Sequence, residues 1–110
     1  MKVPPIPSAS EPRRSEIDAF AEPVLIEFGA TWCGYYRAAQ PLVAELLAGH
    51  PQLRHIRIED GPGRPLGRSF RVKIWPTLIV MYHGSELARL VRPADLRAIE
   101  DALAQVEVAV

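Results

Sequence analysis

Val24-Leu25-Ile26-Glu27-Phe28-Gly29-Ala30-Thr31-Trp32-Cys33-Gly34-Tyr35-Tyr36 is the stretch on which the reading of this chain turns. An apolar run of strand type stops at Gly29-Ala30. A tryptophan follows, then the only cysteine of the protein, then a glycine. From Tyr35 onward the residues suit a helix. Cys33 is therefore expected where a buried strand ends and a helix begins. Free backbone N–H groups and the helix dipole favour a thiolate at such a junction. The competing reading is a buried, inert cysteine.

Outward from this stretch, the apolar character of residues 24–28 predicts a central strand covered on both faces. A helix is expected from about Gly34 to Ala48, with Leu42, Val43, Leu46 and Leu47 as its apolar stripe. Pro41 in its middle removes a donor and should bend it. Gly49 is a natural stop. Residues 53–59 alternate as a strand, and their closeness to the first strand requires a helical crossover. Before the stretch, residues 13–21 suit a short helix with Ile17, Phe20 and Ala21 on one face. Residues 1–12 hold four prolines and read as an extended arm, with an edge strand near Val3–Ile6. After it come a loop at 60–65, a helical turn at 66–70, and a second apolar strand at 76–82. A turn over His83-Gly84-Ser85-Glu86 leads to an antiparallel strand at 87–91. Pro93-Ala94-Asp95 opens a last helix with Leu96, Ile99, Ala102, Leu103 and Val106 inward. The order implies an α/β fold: a mixed sheet of four to five strands with helices on both faces. The expected division is an arm at 1–12, a domain at 13–106 and a tail at 107–110.

Composition narrows the function. A chain of 110 residues, 48% of them apolar, makes one domain with a single core. Thirteen basic and thirteen acidic side chains balance, so net charge argues for neither nucleic acid nor an anionic membrane. No apolar run approaches the roughly 20 residues that span a bilayer. The first eight residues lack the apolar core of a signal peptide. With a lone cysteine, which suits a reducing compartment, this makes the cytoplasm the expected location. His50, His55 and His83 have no ligand-like spacing, so no metal is expected. Asp60-Gly61-Pro62-Gly63 is neither a phosphate loop nor a dinucleotide motif. No cofactor is expected.

Trp32-Cys33-Gly34, with Glu27-Phe28 before it and Pro41 after it, resembles the active-site segment of the thioredoxin family. Phe70-Arg71-Val72-Lys73-Ile74-Trp75-Pro76-Thr77-Leu78 is similar to the family's second signature, and Gly84 falls in the hairpin that follows it. The resemblance covers residues 14–105. It implies a thioredoxin fold, a cis bond before Pro76, and an extended partner segment pairing with the backbone of Trp75. It also implies that Glu27 stands where the family keeps a buried acid, usually Asp. The family pattern Cys-Gly-x-Cys departs here to Cys33-Gly34-Tyr35-Tyr36, so Tyr36 occupies the place of the resolving cysteine.

These residues suggest distinct roles. Cys33 is the candidate nucleophile. Glu27, inside an apolar strand, is a candidate proton relay if it faces the core; an outward-facing strand residue is the other reading. Tyr36, three residues after Cys33, either covers the sulfur, donates a hydrogen bond to it, or fills space. Trp32, Gly34, Tyr35, Trp75 and Pro76 are the candidate substrate-binding residues, and the two tryptophans have the alternative of core packing. Single-thiol exchange with protein or low-molecular-weight thiols and disulfides, in cell redox homeostasis, is the leading expectation. The alternatives are a redox-inactive peptide-binding module and a two-cysteine oxidoreductase whose second cysteine became Tyr36, by nature or by substitution. A single-cysteine glutaredoxin holding an iron–sulfur cluster fits the Trp32 and Trp75-Pro76 contexts less well. A monomer is expected, with a disulfide-linked dimer through Cys33 as the other possibility.

Overall fold

The computed structural model describes residues 11–109 and the side chains of 11–106. In chain order the elements are α1 (Arg14–Asp18), β1 (Val24–Gly29), α2 (Gly34–Gly49), β2 (Arg54–Glu59), α3 (Pro65–Ser69), β3 (Thr77–Tyr82), β4 (Ser85–Val91) and α4 (Leu96–Ala109). Among the described residues the strands form one four-stranded sheet in the order β2-β1-β3-β4. β1 runs parallel to β2 across the α2 crossover, and antiparallel to β3. β3 and β4 form a hairpin. The edge strand expected near Val3–Ile6 lies outside the described residues.

Strand alternation divides the core in two. Val24, Ile26 and Phe28 face one side, where Ile17 of α1 and Leu66 of α3 pack with Phe70, Ile58, Ile79 and Met81. Leu25, Leu78 and Val80 face the other, against Val43 and Leu46 of α2 and Ile99, Ala102 and Leu103 of α4. All six residues of β1 are buried, as the continuous apolar run predicts for a strand covered twice.

Several boundaries differ from the expected ones for identifiable reasons. α1 is five residues long rather than nine, ending before Phe20. The hairpin turn is only His83-Gly84, both at positive φ (48° and 78°). That is the tight turn whose twist matches its flanking strands, so Ser85 and Glu86 pair inside β4. Glu11, assigned to the arm, docks on the domain: its Oε1 accepts the Leu66 N–H at 2.6 Å, at the start of α3. α4 is opened by Asp95, whose Oδ1 accepts the Ala98 N–H at 2.9 Å. It runs to Ala109, so the expected tail begins within the helix. α2 continues through Pro41, which lies on its exposed side.

Candidate active site

The thiol is positioned by the turn between β1 and α2. The Cys33 N–H donates to the Ala30 carbonyl at 3.0 Å, closing the turn over Thr31 and Trp32. The Cys33 carbonyl then accepts the Arg37 N–H at 3.0 Å, the first bond of the α2 ladder. Cys33 is thus the N-cap of α2, in extended conformation, and no side chain caps the first turn. Cys33 is half-buried. Gly34 is exposed, and a Cβ there would meet nothing within 4 Å, which leaves the approach beside Cys33 open.

Two tryptophans frame this position. Trp32 is 74% exposed and meets the half-buried Trp75 edge-on, with ring centroids 5.4 Å apart. Trp75 is held by its indole N–H, which donates to Asp60 Oδ2 at 2.8 Å. The Trp75–Pro76 peptide is cis, and Pro76 is buried. Tyr35 is exposed, yet the Arg92 guanidinium lies over its ring at 3.6 Å. Arg92 Nε also donates to the Trp75 carbonyl at 2.8 Å, and the Arg92 N–H donates to the Pro76 carbonyl at 3.0 Å. One arginine therefore joins the end of β4, the proline loop and the first turn of α2.

After Cys33, α2 lies along one face of β1 in matched steps. Tyr36, Gln40 and Val43, at i, i+4 and i+7, pack over Gly29, Glu27 and Leu25, at alternate strand positions. Tyr36 is fully buried. Its ring rests so close to Gly29 that a Cβ at position 29 would overlap it. Its hydroxyl is buried with no hydrogen-bond partner among the described residues. Burial first, and then the Glu27 charge, push its pKa well above the ordinary tyrosine value.

Glu27 faces the α2 side and is fully buried; it is not an outward-facing residue. Gln40 Nε2 donates to Glu27 Oε2 and to the Tyr36 carbonyl at 3.2 Å. His55 Nε2 lies 2.9 Å from Glu27 Oε1. Both carboxylate oxygens are therefore engaged, as burial of a polar group requires. Neither Gln40, His55, Gly29 nor Arg92 is singled out by the sequence. Gln40 had a signal in its i+4 spacing from Tyr36; Arg92 had none, because it arrives from the far end of β4.

Cavities lie elsewhere as well. One of about 740 Å³ is lined by Glu22, His50, Leu53, Glu100 and Leu103, at the C-terminal end of α2 and away from Cys33. A smaller one of about 460 Å³ borders Trp75.

The Thioredoxin family model matches residues 7–105, and this chain belongs to that family. It is 36% identical over 90 residues to a thioredoxin of Mycolicibacterium smegmatis, covering 76% of this chain and 80% of that one. It is 28% identical over 81 residues to thioredoxin-1 of Saccharomyces cerevisiae, covering 74% and 78%. Among solved structures, reduced thioredoxin 2 from Pseudomonas aeruginosa superposes with a TM-score of 0.81 at 48% identity, covering 97% of this chain and 98% of that one. The thioredoxin fold and a thioredoxin-like redox function follow. Among the described residues no helix is long and apolar enough to cross a membrane.

Proposed function

We propose that this protein carries out single-thiol exchange through Cys33, forming mixed disulfides with protein or low-molecular-weight disulfides that it cannot resolve internally. The observation that carries this reading is the pairing of the only cysteine, half-buried at the start of α2, with a fully buried tyrosine three residues on. The Cys33 thiolate attacks one sulfur of a disulfide R–S–S–R′. The Cys33–S–R bond forms, the original S–S bond breaks, and R′–S⁻ leaves and takes a proton from solvent. A phenol forms no disulfide, so Tyr36 does not complete the cycle. An external thiolate such as glutathione attacks the R sulfur of the mixed disulfide, frees Cys33 and becomes joined to R. The partner segment lies on Trp32, Gly34, Tyr35 and Trp75, with the buried Pro76 setting the loop next to Trp75.

Intact-mass spectrometry of the reduced protein mixed with a disulfide peptide tests this. One adduct per chain is expected, stable until free thiol is added and absent from Cys33→Ser. A wild-type chain that stays unmodified at neutral pH overturns the reading.

Glu27 is the proposed proton carrier of the site, passing protons through His55, whose side chain is 12% exposed. Glu27→Gln should change the pH profile of adduct formation as well as its rate. An unchanged profile would restrict Glu27 to packing.

A further inference from the structure

The chain as a whole is neutral, but its charge is not evenly spread. Arg64, Arg68, Arg71 and Lys73 line the 460 Å³ cavity beside Trp75, with Asp60 as its acidic member. Asp60 already accepts the Trp75 indole N–H, and Arg64 Nε donates to the Glu59 carbonyl at 3.1 Å. Arg68, Arg71 and Lys73 are exposed, and none of the three has an ion-pair partner among the described residues. Three cations without ion-pair partners thus border one cavity, against the single carboxylate of Asp60.

The backbone adds a second point. α3 ends with the Val72 N–H donating to the Gly67 carbonyl at 2.9 Å and the Arg71 N–H to the Arg68 carbonyl at 3.0 Å. This is the helix ending that places the intervening residue at positive φ and usually employs glycine there. Here the residue is Arg71, at φ 58°. A left-handed arginine is less stable than glycine at that position, so glycine can replace Arg71 without backbone strain.

The cavity shares Trp75 with the thiol site. Trp75 lines the basic cavity, and its ring meets Trp32, next to Cys33 in the chain. An extended segment advances about 3.3 Å per residue, and the Trp32–Trp75 contact, 5.4 Å between ring centroids, leads from the neighbour of Cys33 to the cavity.

We propose that this basic cavity docks an acidic segment of the partner protein, a few residues from the disulfide that Cys33 attacks. The proposal rests on the single-thiol reading for its partner, but the cavity's charge stands without it. Complementary charge at such a site selects partners and accelerates encounter, and its effect is screened by salt.

The test uses the full chain carrying Cys33→Ser, so that no thiol chemistry intervenes. Fluorescence anisotropy compares two labelled peptides that differ only in a Glu triplet replaced by a Gln triplet. The acidic peptide should bind more tightly, and the preference should shrink as salt rises. Combining Arg68→Ala, Arg71→Gly and Lys73→Ala should weaken it by roughly tenfold, given the modest strength of exposed charge pairs. Arg71→Gly alone suits the backbone at that position, so it tests the charge in a chain that still folds. Equal binding of the two peptides, or an unchanged preference in the triple variant, overturns the proposal. Displacement of the acidic peptide by inorganic phosphate or ATP at equal concentration would also overturn it, in favour of a small-anion site. None of these outcomes depends on whether Cys33 forms adducts. The adduct experiment can therefore fail while the docking proposal stands, or the reverse.

Discussion

Tyr36 and Gly29 act as one unit. The ring fills the space that a side chain at position 29 would otherwise take. A tyrosine dropped into an unadapted site would overpack it, at a cost of roughly 1–3 kcal/mol; here the glycine leaves the room. The surrounding chain is thus fitted to the tyrosine. Tyr36→Cys should leave a cavity and destabilise the protein by about 3 kcal/mol, in the range of aromatic truncations. It should also supply the missing second thiol, so that mixed disulfides resolve without external thiol. Gly29→Ala should destabilise the wild type but recover part of the loss in the Tyr36→Cys background, as the overlap is then gone. Urea denaturation of the four proteins measures this coupling; strict additivity would contradict it. The unpaired hydroxyl gives a separate expectation. Removing a buried hydroxyl that has no partner costs little, so Tyr36→Phe should match or exceed wild-type stability by up to about 1 kcal/mol. The raised Tyr36 pKa fixes the pH dependence. The folded state holds this proton more tightly than the unfolded chain, so its contribution is fully present below the unfolded value of about 10 and lost as pH rises past it. Wild-type stability should fall through that alkaline window, and Tyr36→Phe should flatten the fall. Thermal melts between neutral pH and the alkaline limit of the buffer check both points.

Between elements, Arg92 links three parts of the site. It stacks on Tyr35 of α2 and donates to Trp75 and Pro76 of the loop. It does so from positive φ, 51°. Its guanidinium bond to the Trp75 carbonyl ties the proline loop to the end of β4, so Arg92 stiffens the loop. Arg92→Ala should lower stability by about 1 kcal/mol and change the Trp32–Trp75 fluorescence through a looser loop. Arg92→Lys should not restore either property, since lysine lacks the planar face and the Nε donor. A lysine variant with wild-type melting and emission would contradict this account. The α2 stack over β1 belongs to the same scale. Helix spacing of four and three meets strand spacing of two, and each α2 residue is matched to what lies below it: ring over glycine, amide over carboxylate, valine over leucine.

Across the whole molecule, the sheet, its two covered faces and the resemblance of the thiol segment were legible in the sequence. β1 and β3 read as buried because their apolar residues run without a break, and α4 because its apolar residues recur at helical spacing. The turn at His83-Gly84 is shorter than its sequence suggests, since Ser85 and Glu86 are polar and exposed yet pair as strand. The location of Glu27 was open, because a polar residue in a doubly covered strand has no outward face to mark it. Its partners, thirteen and twenty-eight residues away, leave no local pattern. The basic cavity was invisible to net charge, which averages over the chain what folding gathers in one place. By itself, then, the sequence determined the fold class, the lone cysteine at a strand–helix junction and the tyrosine three residues after it, since periodicity and motif are local properties. Only the tertiary structure decided that Tyr36 fills the room left by Gly29, that Glu27 is buried and bonded, and that Arg92 ties the site together. Those outcomes depend on which distant side chains meet, and packing alone settles that.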